Sequence, residues 1–428
     1  MVVVSHAAEP ARLGGYGEFR DGWPVVLSAM LGIALGATPI PFYTMGLFAP
    51  HLAKAFHWGF GEIQFGLLVS SVVVLVSVPL VGLLADRIGV RVIALTSLVL
   101  FGLSFMSFAL STGSLTQYYV TWCIMGLLGV GTLPITWTRA INAQFDRRKG
   151  LALGLCLAGT GVFGMLGKPL VSHWIDIWGW RGAYVATGLL PILIAFPVAL
   201  AFFREGAKGA PKLRDRASRQ AAEALRESSE TGLGLSEALR DWRFWLLAAA
   251  LTSTGFALGG PTPNMENILG QHGFTPLQVV SLTPFIGASV IVGRLLSGWL
   301  MDRIWAPAVA FVLLCVPAGA CLLLASSSLT YAGAFAAIGL IGMSAGMESD
   351  LVAFLVARYF GLRKYASIYG LIYVCYGLSG SVAAGVFGRA FDKTHSYSGI
   401  LTIGAAILVV GATSFLTLGR YRYRAKED

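Results

Sequence analysis

Long apolar runs separated by short polar connections dominate this chain. A helix that crosses a membrane needs about 20 largely apolar residues. Runs of that kind fall at 23–49, 60–84, 91–111, 116–142, 150–174 and 182–203, and again at 243–264, 276–300, 305–326, 331–357, 366–390 and 398–419. Residues 204–242 are the one long polar segment. It carries charges of both signs, and Leu213 to Ser229 has the composition of a surface helix. The pattern predicts an all-α membrane protein of twelve transmembrane helices. Its parts are an N-terminal tail (1–22), a six-helix half (23–203), a linker (204–242), a second six-helix half (243–419) and a C-terminal tail (420–428). Residues 1–21 hold Arg12 and Arg20 but no apolar core, so they do not read as a cleaved signal peptide.

Composition removes the competing classes. The chain is 56% hydrophobic and 12% charged, about half the charge a water-exposed surface needs. A soluble enzyme and a disordered scaffold are excluded. The net charge of +10 does not signal nucleic acid, because the basic residues sit in short loops between apolar runs. Lys and Arg favour the cytoplasmic side of a membrane. With both termini inside, only Lys54, Lys168, Arg181, Arg389 and Lys393 lie outside, while the other loops and the linker carry the rest. A multi-pass protein of the cell's inner membrane, with both termini cytoplasmic, is expected. The five cysteines lie in apolar runs without CxxC spacing, which suggests neither a disulfide frame nor a metal site. His6, His51, His57, His173, His272 and His395 all fall at termini or outer loops. A histidine proton relay, a His-ligated metal and a His-based hydrolase are therefore not expected. No Gly-x-x-x-x-Gly-Lys loop is present, so ATP-driven transport is unsupported, and no cofactor is expected.

The two halves echo each other. Gly82-Leu-Leu-Ala-Asp86-Arg87-Ile-Gly89-Val-Arg91 follows span 2, and Gly298-Trp-Leu-Met-Asp302-Arg303-Ile304 follows span 8, an offset of 216 residues. The same offset relates Gly161 to Gly377, Gly164 to Gly380 and Asp176 to Asp392. Several matches at one offset indicate a duplicated six-helix unit, and paired halves with a site between them are a transporter architecture. Asp86 and Arg87 sit at a helix end, where Asp86 can face a helix N-terminus or a cation such as Arg139.

The Gly82-x-x-Ala-Asp86-Arg87-x-Gly89-x-Arg91 loop resembles the signature between spans 2 and 3 of the major facilitator superfamily, and the resemblance covers the whole chain. Gly179-Trp180-Arg181, Phe244-Trp245, Gly346-Met-Glu348-Ser-Asp350-Leu and Arg358-Tyr-Phe360-Gly361 are similar to bacterial members of its monocarboxylate-porter group. The resemblance implies the major facilitator fold and alternating access. It also implies a gate of Gly82, Asp86, Arg87 and Arg91, repeated in Asp302 and Arg303, that locks one conformation and releases in the other.

A charge deep in the bilayer costs several kcal/mol and needs a partner or a task. Arg294 in span 8, and Glu348 and Asp350 in span 10, are such charges, at comparable depth. Arg294 can bind a substrate carboxylate through its planar fork, with Glu348 or Asp350 carrying a coupled proton; alternatively, Arg294 and an acid form a structural ion pair. Glu348 and Asp350 point to different faces of their helix, so at most one lines a cavity with Arg294. Arg294-Leu-Leu-Ser-Gly298 is similar to the span 8 motif of monocarboxylate porters, whose Arg contacts the substrate carboxylate. Departing from the animal members, Val290 stands where they carry an Asp, and Tyr43 where they carry a Lys, so the proton route must differ.

Tyr365, Tyr369, Tyr373 and Tyr376 share one face of span 11. Tyr365 and Tyr369 read as an interfacial belt, whereas Tyr373 and Tyr376 are deep enough to donate hydrogen bonds to an anion in a central cavity. Pro39 and Pro41 free backbone carbonyls in span 1 that Thr38 or water can satisfy. This reads either as a kink facing the pathway or as a packing kink; Thr132 and Pro134 give span 4 a similar setting. Gly154, Gly159, Gly161, Gly164 and Gly167 give span 5 a small-residue packing face. Lys168 reads as a snorkelling interfacial charge.

The expected function is proton-coupled symport of a small organic anion, a monocarboxylate, by alternating access. Arg294, Tyr373, Tyr376, Tyr43 and Thr38 are the candidate substrate contacts. The alternative within transporters is a proton-coupled drug or metabolite exporter. A non-transporting receptor on the same fold has little need of a gate in both halves. The partners expected are the anion, the proton and the lipid bilayer, with no nucleic acid, and a monomer is expected.

Overall fold

The computed structural model describes residues 17–145, 149–203, 232–301, 303–361 and 363–423. Asp302, the side chains of Asp86 and Asp350, and the surface helix expected at Leu213–Ser229 lie outside the described part.

Among the described residues, eleven helical stretches are long and apolar enough to cross a membrane. Spans 1 to 4 are Gly22–Phe56, Phe60–Gly82, Val90–Leu110 and Leu115–Ile141. The fifth stretch, Leu151–Phe202, has 52 residues. At 1.5 Å per residue it is about 78 Å long, more than twice the ~30 Å hydrocarbon core. Gly179, at φ +67° and ψ 174°, breaks it into two. A side chain is strained in that backbone conformation, so a glycine marks the turn. Residues 151–178 are therefore span 5 and 180–202 span 6. Spans 7 to 12 are Trp242–Gln271, Pro276–Met301, Ala306–Ala325, Tyr331–Phe360, Ser367–Thr394 and Ser398–Leu418. Twelve spans in two halves result, as the apolar runs predict. We call the face holding the loop between spans 2 and 3 the inner face.

Local chemistry sets the helix ends. Ser114, Asp241, Thr275 and Thr330 accept backbone N–H bonds at the starts of helices in spans 4, 7, 8 and 10, satisfying donors that have no carbonyl one turn back. Prolines interrupt the inner-ring helices. Span 1 breaks between Ala34 and Pro39, and span 7 breaks at Gly260 before Pro261. The Pro-x-Pro pairs 39/41 and 261/263 share an offset of 222 residues, so the halves repeat this break as well as the loop signature. The span 1 break is tied to span 4, where the Ala37 amide donates to Thr132 Oγ1 at 2.9 Å; within span 4, Trp137 Nε1 donates to the Thr132 carbonyl at 3.1 Å.

The outer part of the first half is an aromatic core. Phe48 stacks on Tyr184 with centroids 3.7 Å apart, and Phe105, Phe108, Tyr118 and Trp122 surround them. The inner face of the second half is strapped by polar contacts. Leu233 N donates to Phe360 O, Ala306 N to Tyr421 Oη, and Arg422 pairs with Asp241 at 2.9 Å.

The halves meet at spans 5 and 8, at spans 2 and 11, and at the outer parts of spans 1 and 7, and the first two pairs part toward the inner face. Between spans 5 and 8, a Cβ on Gly161 would sit 2.8 Å from the Gly287 carbonyl, and one on Gly164 3.3 Å from the Gly287 Cα. Gly154, seven residues before Gly161 and so on the same face, would meet nothing within 4 Å. Between spans 2 and 11, Ser71 and Ser381 share a hydrogen bond of 2.6 Å, and a Cβ on Gly388 would press on Phe60. Gly377 and Gly370, on the Ser381 face but nearer the inner side, would meet nothing within 4 Å. Both pairs therefore diverge inward, so a cleft between the halves opens on the inner face.

Candidate functional site

Glycines place the charges at the head of this cleft. A Cβ on Gly346 would overlap the Val290 carbonyl oxygen and lie 3.1 Å from Arg294 N; one on Gly293 would lie 2.7 Å from the Met343 carbonyl carbon. Spans 8 and 10 therefore run backbone to backbone where Arg294 and Glu348 stand. Arg294 is half-buried, and Glu348 is buried at 9% exposure. Neither group is isolated.

Three further spans converge on them. The Tyr376 hydroxyl of span 11 donates a hydrogen bond to the Glu348 carboxyl. Span 7 fixes that part of span 11, because a Cβ on Gly255 would sit 3.1 Å from the Tyr376 carbonyl carbon. Tyr43 of span 1 is buried and within electrostatic reach of Glu348, Arg294 and Tyr376. Its ring lies against Gly164 of span 5, where a Cβ would come 3.1 Å from it. Cys156 of span 5 is an electrostatic neighbour of Arg294. One guanidinium, one carboxyl and two phenol hydroxyls from spans 1, 8, 10 and 11 thus share one site. Such a set can hold a carboxylate by a charge-assisted fork and the Tyr43 O–H, with the Tyr376 O–H released to it when Glu348 takes a proton.

The remaining expected residues are placed as follows. Tyr373 is 37% exposed, and its ring stacks on Tyr369 at 5.5 Å. Tyr365, Tyr369, Tyr373 and Tyr376 form one continuous ladder of rings running from the inner end of span 11 up to Glu348. Thr38 is exposed at the span 1 break and makes no capping bond; no described contact joins it to the cluster. Of the gate, Gly82 meets no neighbouring atom, and Arg87 is exposed. Arg91 donates to the Leu200 carbonyl within its own half at 2.6 Å. Arg303 folds back onto Trp299, 4.4 Å from the ring centre.

Two expectations need correction. Lys168 does not snorkel. Its side chain is 1% exposed, and Nζ lies 2.5 Å from Glu266 Oε1 of span 7. Arg294, Glu348 and Asp350 are therefore not the only charges deep in the bundle. Glu266 was missed because the apolar run of span 7 stops at 264, whereas the helix continues to Gln271. Its signal was an acid just past Pro261-Thr-Pro263. Two further links between the halves lie at the outer side. Gln64 Nε2 donates to Asn264 Oδ1 at 3.0 Å, and Asp392 accepts from Phe60 N and Gly61 N at 2.9 Å each. They seal the face opposite the cleft.

Two six-span halves around a half-buried cation and a buried carboxyl, sealed on one face and parted on the other, define a membrane transporter. The chain belongs to the Major Facilitator Superfamily, whose family model matches residues 24–384. It is similar to Monocarboxylate transporter 13 of Bos taurus, at 25% identity over 98% of this chain and 92% of that protein. An uncharacterized MFS-type transporter of Escherichia coli strain K12, YhjX, is 25% identical over 84% of this chain and 86% of its own length. Among solved structures, the inward-facing, unoccupied form of a bacterial homologue of the human lysosomal transporter Spinster superposes with a TM-score of 0.66. That likeness has 16% identity and covers 95% of this chain and 98% of the other; it supports the fold alone.

Proposed function

We propose that this protein carries a small monocarboxylate together with a proton by alternating access. Residues 23–203 and 243–419 act as the two rocking bodies. Arg294 holds the carboxylate through its guanidinium fork. Tyr43 donates a hydrogen bond to the substrate; once Glu348 is protonated and can itself donate to the Tyr376 oxygen, the Tyr376 O–H is free to join it, and Tyr373 and Thr38 border the route. Glu348 takes and releases the coupled proton, and its hydrogen bond from Tyr376 ties its protonation to the residue that meets the anion. Asp350 is the second candidate for the proton. Asp86, Arg87 and Arg91, with Asp302 and Arg303, re-form the inner gate when the cleft closes. The membrane is the cell's inner membrane, with both termini cytoplasmic, and the working unit is a monomer.

The observation that carries this reading is the convergence of Arg294, Glu348, Tyr43 and Tyr376 at the head of the cleft. One half-buried guanidinium suits one carboxylate, and the name of the Bos taurus relative is consistent with that substrate class. The test is uptake into proteoliposomes under an inward proton gradient, with labelled pyruvate, lactate and benzoate. Accumulation of at least one acid is expected. Glu348→Gln should keep acid-for-acid exchange but lose proton-driven accumulation. No uptake of any of the three acids, with resistance to toxic organic cations in cells instead, would replace this reading with the exporter.

A further inference from the structure

Lys168 and Glu266 are the most deeply buried described ion pair in the protein, and they join opposite halves. Lys168 lies on span 5, one helical turn outward of Gly164, where spans 5 and 8 cross at Gly287. Arg294 lies on span 8, two turns inward of Gly287. At 1.5 Å per residue the two cations stand roughly 16 Å apart along the bundle, on opposite sides of that crossing. Each cation therefore belongs to one side of the constriction.

Glu266 fits this position with little room to spare. A Cβ on Gly46 of span 1 would sit 2.9 Å from the Glu266 carboxyl carbon. Glu266 Oε2 and Gln64 Oε1, both in the sealed outer seam, are buried without a hydrogen-bond partner among the described residues. Unsatisfied buried acceptors oppose closure, so the seam is poised to part. When it does, Lys168 leaves with the first half and Glu266 with the second. An ammonium between low-dielectric walls then faces the outer vestibule, where it concentrates anions.

We propose that Lys168 is the outward-facing anion site, and that the Glu266 carboxylate occupies it while the outer face is shut. Glu266 is a built-in competitor that the substrate carboxylate replaces once the halves separate. Arg294 is the corresponding cation on the inner side. This rests on the carboxylate reading of the substrate.

The experiment is acid-for-acid exchange in oriented proteoliposomes at equal pH, with labelled pyruvate, lactate and benzoate. The half-saturating concentration is read separately at the outer and inner faces, with the opposite face saturated. Lys168→Gln should raise the outer value at least tenfold and leave the inner value within twofold. Lys168→Arg should keep both values near wild type. Glu266→Gln removes the competitor and should lower the outer value several-fold. If Lys168 and Glu266 serve only as a latch, both Gln variants shift the outer value in the same direction, and the proposal is overturned. Equal rises at both faces for Lys168→Gln also overturn it. Should Lys168→Gln fail to fold, an unchanged or raised outer value for Glu266→Gln overturns it by itself. Absence of exchange by the wild-type protein would instead sink the carboxylate reading, so the two failures are distinct.

Discussion

Replacing Gly287 by Ala should push the protein out of the conformation described above. The added Cβ would overlap the Gly161 carbonyl oxygen and the Met165 amide nitrogen, and would lie 2.8 Å from the Gly164 carbonyl carbon. All three are backbone atoms of span 5 in the opposite half, so no rotamer change relieves the clash. Overpacking of this kind costs about 1–3 kcal/mol. The cost falls on the conformation in which spans 5 and 8 touch near the outer face. The alternative conformation, rocked open there, does not make the contact. The equilibrium should therefore move toward the outward-open form by a factor of roughly 5 to 150. Gly346→Ala is the control, since its Cβ would overlap the Val290 carbonyl within one half and so strain both conformations alike. Spin labels at Ala55 and Lys393, both exposed near the outer face, report the separation by double electron–electron resonance in a cysteine-free background. A longer-distance population should grow in Gly287→Ala and not in Gly346→Ala. Identical distributions in wild type and Gly287→Ala would refute the reasoning, as would equal changes in both variants.

Three further outcomes are expected. Arg294→Lys keeps the charge but loses the planar fork, so the half-saturating substrate concentration should rise 10-fold or more in exchange assays. Tyr376→Phe removes a hydrogen bond to a carboxyl, worth about 1.5–3 kcal/mol when that carboxyl is ionised; the apparent proton affinity of transport, read from its pH profile, should shift while Tyr365→Phe leaves it in place. Asp392→Asn weakens the cap that span 11 places on the span 2 N-terminus. It should increase alkylation of a cysteine introduced at Gly59 in the outer seam.

The fold was largely legible because a membrane imposes length and polarity on each span. Twelve apolar runs and one repeated loop were enough for it. The gap between the runs 150–174 and 182–203 already held the break at Gly179; the divergence of spans 2 and 11 was not legible, since it depends on how helices meet. At the site, Arg294 and Glu348 stood out because a charge within an apolar run needs an explanation. Their neighbour Tyr376 stood out by its depth on one helix face. Lys168 was misread for a physical reason: near the end of an apolar run, a lysine that snorkels and a lysine that is paired look alike. Its partner is 98 residues away in the other half. The tyrosine ladder was visible as a spacing, but its stacking and its termination at Glu348 arise only in three dimensions.

The crossing of spans 5 and 8 is built from glycines, and that choice has a mechanical consequence. Gly161, Gly164 and Gly287 bring backbone against backbone, with the Ile291 side chain of span 8 reaching Gly161 beside them. Parting the two helices here requires no rotamer change of the three glycines themselves. The contact releases as a smooth face rather than a clasp. The free-energy difference between the two orientations is then left to the polar groups on either side, the ones that bind substrate and protons. A carrier with such a contact turns over at a rate governed by what it has bound.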